Sequence, residues 1–306
     1  MELLLLLPLL VLGGLAIGGG SDDAPERETP SDEAGEVEAG TSGRDEMAGT
    51  VLNDILLGGN GRDTIEGLEG NDVVVGELGN DLLTGDAGID VVLGGGGNDV
   101  VDGASGDDLL VGGAGDDTVT GGEGNDLLIG SSGSDLLRGD DGNDTLVGVE
   151  FDRVSGEMSQ IAADLRGALA RGFGSNVTDA QLNRVASGVT SGDVAERGPD
   201  QLDGGAGDDL LFGDDGDLLT GGLGDDDFGI AFSAGEDLST VTDFDHRTET
   251  LTLILEDPDT AEIVIRSAGP LTTLIEVDGQ PAVHLSNQDA ALLLATRESW
   301  LFVERA

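Results

Sequence analysis

The sequence predicts an all-β protein built mainly as a parallel β-roll with two strands in each coil. A nine-residue unit, Gly-x-x-Gly-x-Asp-x-Φ-x with Φ aliphatic, repeats ten times without a gap from Gly58 to Val147. Gly at the first and fourth places and Asp at the sixth predict a tight turn. The three β-forming residues that follow predict a short strand. Units of this size bury their single inward side chain by stacking in parallel.

The ninth place of the unit alternates between apolar and polar residues in successive copies. This second period of eighteen residues favours two strands per coil, because a roll with one apolar and one polar outer face requires it. The apolar face should cover some hundreds of Å², so a cover or a partner is expected. The apolar series is Leu57, Val75, Leu93, Val111, Ile129, Val147 and Phe212, and the polar series is Glu66, Thr84, Asp102, Thr120, Arg138 and Thr220.

The array is interrupted after Val147 and then resumes. Gly204 to Phe212 is a full copy, the next copy from Gly213 is one residue short, and a third starts at Gly221. A degenerate copy with Asp54 precedes the array. Degenerate terminal copies are typical of capping units in repeat proteins.

The aspartates and turn carbonyls of the unit are hard oxygen ligands, which Ca²⁺ prefers. The unit resembles the calcium-binding nonapeptide repeat of RTX (repeats-in-toxin, hemolysin-type) proteins. The resemblance implies that adjacent turns on one side of the roll share each ion, with on the order of eight such sites in ten copies. The predicted metal ligands are the sixth-place aspartates Asp63, Asp72, Asp81, Asp90, Asp99, Asp108, Asp117, Asp126, Asp135, Asp144, Asp209, Asp217 and Asp226.

The charge of these aspartate columns predicts that folding depends on calcium. Neighbouring carboxylates one strand spacing apart, about 4.8 Å, repel by roughly 1 kcal/mol in water and about 3 kcal/mol at an effective dielectric constant near 20. One buried aliphatic side chain per copy contributes only about 1.5–3 kcal/mol. We therefore expect the array to be disordered without cations and to fold on binding several Ca²⁺ ions.

The composition of the chain limits the cellular compartments and the classes of partner that fit it. The net charge is −50, with 63 acidic residues against 13 basic ones, which excludes nucleic acid as a partner. Cysteine is absent, so neither disulfides nor thiolate sites contribute. This fits a secreted chain that meets millimolar calcium outside the cell. The resemblance also implies export machinery as a partner, namely a one-step exporter that recognises an uncleaved C-terminal signal.

The N-terminal segment, residues 1–20, contains an apolar run from Leu3 to Ile17 and is predicted to be a signal peptide or a membrane anchor. Glu2 stands where a signal peptide usually has Lys or Arg. Both cleavage and retention remain open, so the protein is expected outside the cell, either free or anchored at the surface. Residues 21–48 are acidic and are predicted to be a disordered linker.

The rest of the chain divides into four predicted segments. The roll occupies 49–148 and 202–229 and is interrupted by a helical hairpin insert at 149–201, either a lid on the apolar face or a partner-recognition element. Residues 230–306 are predicted to form an antiparallel β cap with a short helix from Asn287 to Ala295. Its hairpin turn is expected at Asp278-Gly279. Residues 235–237 and 241–244 look like the segment that closes the roll in serralysin-type secreted proteins.

No enzymatic activity is predicted. The two histidines, His246 and His284, lack the His-Glu-x-x-His context of a zinc protease. The chain has no Gly-x-Ser-x-Gly nucleophile elbow and no lysine. A secreted calcium-binding roll is the favoured function. The alternatives are an adhesive or self-assembling surface protein that uses the apolar face, and a hydrolase with an unrecognised site.

Overall fold

The structure is a computed structural model that describes residues 35–148, 198–214, 216–232, 237–255, 257–269 and 271–305. Over these residues the strands form two sheets, one of eleven strands and one of twelve. Sheet A comprises β1 Val37–Ala39, β3 Ile55–Gly61, β5 Val73–Gly79, β7 Val91–Gly96, β9 Leu109–Ala114, β11 Leu127–Ser132, β13 Thr145–Val147, β15 Leu210–Gly213, β17 Asp227–Ala231, β19 Thr250–Leu255 and β23 Leu301–Arg305.

Sheet B lies on the other side of the core and takes the alternate strands. Its members are β2 Glu46–Ala48, β4 Thr64–Glu66, β6 Leu82–Ala87, β8 Val100–Ser105, β10 Thr118–Glu123, β12 Leu136–Asp141, β14 Gln201–Ala206, β16 Leu218–Leu223, β18 Ser239–Val241, β22 Gln280–Ser286, β21 Thr272–Val277 and β20 Ile263–Gly269. From β1 to β20 the chain thus crosses from one sheet to the other between successive strands, and the predicted roll with two strands per coil is confirmed.

The register of the strands follows the eighteen-residue period of the sequence. Val73 on β5 lies opposite Val91 on β7, which in turn lies opposite Leu109 on β9, all in parallel. Each coil adds one strand to each sheet, and the solenoid has about eight coils.

The core of the roll is a single column of eighth-place aliphatic side chains. From Leu56 to Leu146 every one of them is fully buried. Both sheets contribute alternately, so each layer of the core contains one side chain from each sheet. A core this narrow has little room for further side chains. The turns that flank it can therefore consist of small residues such as Gly and Asp.

The apolar outer face predicted for sheet A is also buried. Leu57, Leu93 and Ile129 are at most 2% exposed, and Phe212 is 8% exposed. The same holds for the outward seventh-place residues Val91 and Leu109. This face is therefore covered within a single chain, and a second copy is not needed to bury it.

The roll begins earlier than the sequence pattern predicted. Residues 37–48, predicted to be part of a disordered linker, contain β1 and β2, and Met47 is buried in the core. Gly40 to Ala48 is a complete repeat with Asp45 at the sixth place and Met47 at the eighth. Methionine in place of Ile, Val or Leu concealed this copy. The linker prediction was wrong over these residues.

The predicted signal segment (1–20) and most of the predicted helical insert (149–197) lie outside the described residues. The roll resumes by Asp200, since Gln201 is the first residue of β14 and pairs with Leu136 of β12. The insertion therefore separates the first place of one repeat, Gly148, from its sixth place, Asp200.

A ladder of polar side chains follows the outer edge of the turns at the fifth place of the repeat. The backbone N–H of one fifth-place residue donates to the side-chain oxygen of the preceding one in the same column, as in the bond from Asn125 to Asp107 of 2.9 Å. The ladder is interrupted at Ile89, whose N–H donates to Asn71 Oδ1 but whose own side chain has no acceptor. The sequence analysis did not anticipate this ladder.

The C-terminal cap, residues 237–305, is only partly antiparallel as predicted. The β20–β21–β22 meander is antiparallel, with its turn at Asp278-Gly279 as expected. The remaining strands β18, β19, β22 and β23 continue the two sheets of the roll in parallel. The antiparallel cap is thus confirmed for the meander, and the parallel strands were not foreseen because local alternation of side chains does not specify strand direction.

The cap contains one helix, α1 from Ala290 to Thr296, followed by a 3₁₀ turn at Arg297–Ser299. Asp289 caps the helix by accepting a 2.8 Å bond from the Ala291 N–H. Trp300 is fully buried, and its indole N–H donates to the Leu293 carbonyl. The rings of Phe228, Phe244 and Trp300 contact one another edge to face and close the end of the core.

Candidate metal centre: two aspartate ladders

The sixth-place aspartates lie in two columns, one along each edge of the roll. All thirteen predicted metal ligands are at most 3% exposed. The column that precedes the sheet A strands contains Asp54, Asp72, Asp90, Asp108, Asp126, Asp144, Asp209 and Asp226, and the column that precedes the sheet B strands contains Asp45, Asp63, Asp81, Asp99, Asp117, Asp135, Asp200 and Asp217.

One carboxylate oxygen of each aspartate is used to join successive coils. Asp117 Oδ1 accepts a 2.7 Å bond from the Asp99 N–H, one coil earlier, and Asp99 Oδ1 accepts from Asp81 at 2.8 Å. Across the insertion, Asp200 Oδ1 accepts from the Asp135 N–H at 2.7 Å. The aspartate side chain therefore substitutes for a strand partner at the turn, where the backbone ladder is broken.

The other carboxylate oxygen has no hydrogen-bond partner in most of the ladder. Burying a polar atom in this way is costly unless a ligand satisfies it. Oδ2 is buried and unpartnered in Asp63, Asp72, Asp81, Asp90, Asp99, Asp108, Asp117, Asp126, Asp135, Asp144, Asp209 and Asp226.

The backbone at the second place of the repeat explains why Oδ2 is left without a donor. In each of these twelve turns, which we call open turns, the second-place residue is left-handed, with φ between 67° and 115°. Six of these residues carry a side chain, among them Leu68 and Ala104, although the left-handed region costs a residue with a Cβ about 1–2 kcal/mol. The backbone strain at the second place therefore recurs in the same turns in which Oδ2 of the aspartate has no hydrogen-bond donor.

Four other turns, which we call closed turns, satisfy the same oxygen internally. The Thr50 N–H donates to Asp54 Oδ2 at 2.6 Å and the Thr41 N–H to Asp45 Oδ2 at 2.7 Å. The threonine hydroxyl lies 3.0 Å from the same oxygen in both turns. Since β-branched residues strongly avoid positive φ, threonine keeps its N–H directed at the carboxylate.

The other two closed turns lie at the C-terminal end of the roll. The Asp214 N–H donates to Asp217 Oδ2 at 2.6 Å, in the copy that is one residue short. The Asp245 N–H donates to Glu249 Oε2, also at 2.6 Å. Glu249 occupies the sixth-place position of the sheet A column after Asp226, because Thr250 lies opposite Asp227.

The glycines of the repeat bring backbone carbonyls close to the free carboxylate oxygen. A Cβ on Gly76 would stand 2.5 Å from Asp81 Oδ2 and 2.7 Å from the Gly94 carbonyl of the next coil. At the fourth place, a Cβ on Gly106 would overlap the Gly88 carbonyl. Gly is therefore required at both places by close approach, and the space it leaves is lined by oxygen atoms.

The electrostatics of the ladder oppose ionisation without a cation. Burial is the main cause that raises the pKa values of these carboxyl groups. The backbone N–H bonded to Oδ1 lowers the pKa but offsets only part of this rise, and repulsion from neighbouring ladder aspartates raises the pKa further. The pKa is also raised at Asp81 and Asp226. It rises from 3.8 to about 6 at Asp135, about 7 at Asp72, Asp99, Asp108, Asp126, Asp144 and Asp209, about 8 at Asp90 and Asp117, and about 9 at Asp200.

This donor set fits calcium. Ca²⁺ takes six to eight oxygen ligands in flexible geometry and accepts carboxylates and backbone carbonyls together. Among the residues that the structure describes, no three acidic side chains converge on one point. A calcium ion held between adjacent turns would therefore need their carbonyl oxygens as further ligands.

The sequence analysis missed two members of the ladder. Asp45 was assigned to the linker, and Asp200 was assigned to the insert. The signal for Asp45 was present in Gly40 and Gly43, which stand at the correct spacing. For Asp200 the local signals were Gly198 at the fourth place and the Asp-x-Leu-x sequence through Leu202, while the insertion separated the first-place Gly148 from them.

Comparison with known proteins agrees with this geometry. The model of the RTX calcium-binding nonapeptide repeat (4 copies) matches residues 40–74, 48–83, 75–110, 84–119, 120–150 and 194–217. The chain is an RTX-type repeat protein. RTX nonapeptide repeats bind calcium, and the buried, repeated aspartates of this chain fit that role.

A solved structure similar to this RTX protein is the extracellular lipase LipA from Serratia marcescens, with 14% sequence identity and a TM-score of 0.20. The alignment covers 85% of this chain and 39% of the lipase chain, so the RTX protein spans less than half the length of that enzyme. No curated protein gives a significant match. In the described part of the chain, none of the helices is long and apolar enough to cross a membrane.

Proposed function

We propose that this RTX protein is secreted and that its roll folds outside the cell when several Ca²⁺ ions bind to the two aspartate ladders. The proposed ligands are the twelve open-turn aspartates together with turn carbonyls of adjacent coils. The observation that carries the proposal is the row of buried Oδ2 atoms without a partner, from Asp63 to Asp226.

Calcium dependence of folding follows from the charge of the ladders. The folded, metal-free roll must either keep carboxylates such as Asp90 protonated near neutral pH or bear their mutual repulsion. A bound Ca²⁺ supplies the positive charge that neutralises neighbouring carboxylates. The aspartates would then join the coils and bind the cation at once, since Oδ1 accepts a backbone N–H of the preceding coil and Oδ2 is left for the cation.

Extracellular folding is supported by the composition of the chain. Cysteine is absent and the net charge is −50, so stability has to come from a source other than disulfides, and one that offsets the excess of negative charge. Calcium modules outside cells work at about 10⁻⁴–10⁻³ M, a concentration that the cytosol does not reach. A chain of this kind would stay unfolded during passage through export machinery and fold after release.

A binding role is favoured over catalysis. RTX repeat domains are usually non-catalytic. Within the described residues, the strongly perturbed carboxyl groups belong mostly to the two ladders, where they serve a repeated structural arrangement rather than a single cleft. An adhesive function through the apolar face of sheet A has less support, since residues such as Leu93 and Val111 are already buried within one chain.

The proposal is tested by far-UV circular dichroism of the full chain in EGTA, in millimolar Ca²⁺ and in millimolar Mg²⁺. We expect disorder in EGTA, β structure in Ca²⁺, and much less structure in Mg²⁺, because Mg²⁺ demands a smaller octahedral site and retains its waters. Light scattering in the same titration separates a folded monomer from a calcium-induced assembly. Identical spectra in EGTA and Ca²⁺ would contradict the proposal.

A further inference from the structure

The closed turns occupy all four ends of the two aspartate columns. In the sheet A column, the open turns from Asp72 to Asp226 are flanked by closed turns at Asp54 and Glu249. In the sheet B column, Asp45 precedes and Asp217 follows the open turns that begin at Asp63. Among the turns that the structure describes as open or closed, the two types are therefore segregated by position in the ladder; the Asp200 turn, whose second place lies outside the described residues, is not assigned to either type.

A closed turn already satisfies the oxygen that an open turn leaves free. In the Asp54 turn, Oδ2 accepts the Thr50 N–H at 2.6 Å and lies 3.0 Å from the Thr50 hydroxyl. Each N–H directed at a carboxylate also points the positive end of its dipole at the position from which a cation would approach. A cation there would have to share Oδ2 with these N–H and hydroxyl donors, whose positive dipole ends repel it.

We propose that the four closed turns bind no calcium and that they end the calcium ladder, so the calcium-binding array extends from Asp63 to Asp226. This inference rests on the proposed function, because it specifies which turns of the same ladders are used. It removes Asp217 from the ligands that the repeat pattern predicts. The missing residue in the copy from Gly213 brings the Asp214 N–H onto Oδ2 of Asp217 and closes the turn.

In the copies of full length, the second-place residue distinguishes the two turn types. Open turns have Gly, or a residue forced into the left-handed region, at this place, whereas the two N-terminal closed turns have threonine. The Asp45 turn is otherwise a full repeat, with Gly40 and Gly43 in place. A change at Thr41 alone should therefore convert it.

The first experiment opens closed turns and counts bound ions by native mass spectrometry at saturating Ca²⁺. The double variant Thr41→Gly/Thr50→Gly allows positive φ at both turns, so we expect roughly one additional ion for each turn opened. The matched control Thr41→Val/Thr50→Val keeps a β-branched residue and the N–H donor at both places. Its ion count should equal that of the unchanged protein.

The second experiment closes an open turn and compares aspartates of both types. Ala104→Thr should remove roughly one ion at the Asp108 turn, whereas Ala104→Gly should keep the count. Asp217→Asn should leave the count unchanged, and Asp209→Asn should lower it. An unchanged count in Thr41→Gly/Thr50→Gly, or an equal loss in Asp217→Asn and Asp209→Asn, would overturn the inference.

The outcome also separates this inference from the proposed function. A wild-type chain that binds no calcium contradicts both. If the wild-type chain binds calcium and folds, but the number of bound ions is the same in the second-place variants, only the assignment of the closed turns is contradicted.

Discussion

The roll and the C-terminal cap share the same two sheets but are stabilised by different interactions. The roll has one aliphatic side chain per repeat in its core and two columns of buried carboxylates at its edges. The cap instead buries Phe244, Trp300 and Leu293 together and adds a capped helix. Parallel strand pairing is therefore compatible with two sources of stability, namely side-chain packing in the cap and, under the proposed function, cation binding in the roll.

The pH dependence of the metal-free chain should show the largest difference between the two regions. Between about pH 4 and 8, unfolded aspartates lose protons that the folded roll retains, since burial raises the pKa of Asp90 and Asp117 to about 8. The unfolded state then binds fewer protons than the native state, so the roll loses stability as the pH rises through this range. In EGTA, lowering the pH from 8 to 5 should increase β structure in far-UV circular dichroism.

In calcium the same titration should have the opposite effect on the roll. Protons compete with Ca²⁺ for the carboxylates, so the calcium concentration at the folding midpoint should rise as the pH falls. Trp300, the single tryptophan, should report little change in fluorescence over this range, because its contacts in the cap are apolar. A metal-free roll that gains no structure on acidification would contradict the burial of the carboxylates.

Truncation of an aromatic side chain in the cap should lower the stability of the cap and leave calcium binding by the roll unchanged. Phe244→Ala removes a fully buried ring that touches both Phe228 and Trp300, so we expect about 3–5 kcal/mol lower stability of the cap in urea unfolding followed by Trp300 fluorescence. The number of bound calcium ions should stay the same. The exposed change Leu292→Ala, on α1, is the matched control and should have little effect. A loss of bound calcium in Phe244→Ala would indicate that the two regions fold as one unit.

Substitution of a ladder aspartate should raise the calcium midpoint more in the middle of a column than at its end. Asp99 and Asp117 are stacked neighbours in mid-column, each with an unpartnered Oδ2, so their replacement by Ala should raise the calcium midpoint roughly tenfold or more. Asp54→Ala, in a closed turn at the end of its column, should raise it much less. A calcium titration followed by circular dichroism measures both, and equal shifts would contradict a propagating array.

Repair of the fifth-place ladder should give the smallest effect. Ile89 interrupts the column between Asn71 and Asp107, and Ile89→Asn supplies the missing acceptor for the next coil. One additional hydrogen bond should stabilise the roll by about 0.5–1.5 kcal/mol in calcium, measured by urea unfolding. Ile89→Ala, which removes the same side chain without adding an acceptor, should not stabilise the roll. Equal stability of both variants would show that the ladder contributes nothing here.

The repeated positions of the roll could be predicted from the sequence because each has one physical requirement. The eighth-place side chains such as Val74 and Leu128 must fill a narrow core, and the first- and fourth-place glycines must admit a carbonyl of the next coil. The eighteen-residue period indicated both the two sheets and the stacking of Asp99 on Asp117. The buried sixth-place aspartates followed from the same register.

The features that the sequence analysis missed depend on contacts between distant residues or on backbone handedness. Whether a turn is open or closed depends on φ at the second place, where Leu68 and Ala104 are left-handed although neither residue favours it. Asp200 joins the ladder only because the chain returns to Gly148 after the insertion. In the cap, β19 pairs with β17 in parallel, a direction that local alternation of side chains does not specify.

Hydrogen–deuterium exchange of the full chain, with and without calcium, tests the central claim most directly. Peptides from the ten contiguous repeats, Gly58 to Val147, should exchange fully in EGTA and become protected in millimolar Ca²⁺. Peptides from the β20–β21–β22 meander should be protected in both buffers, since antiparallel pairing and apolar packing need no cation. Protection of the repeats in EGTA at neutral pH would contradict the account, because it would mean that the buried carboxylates are tolerated without calcium.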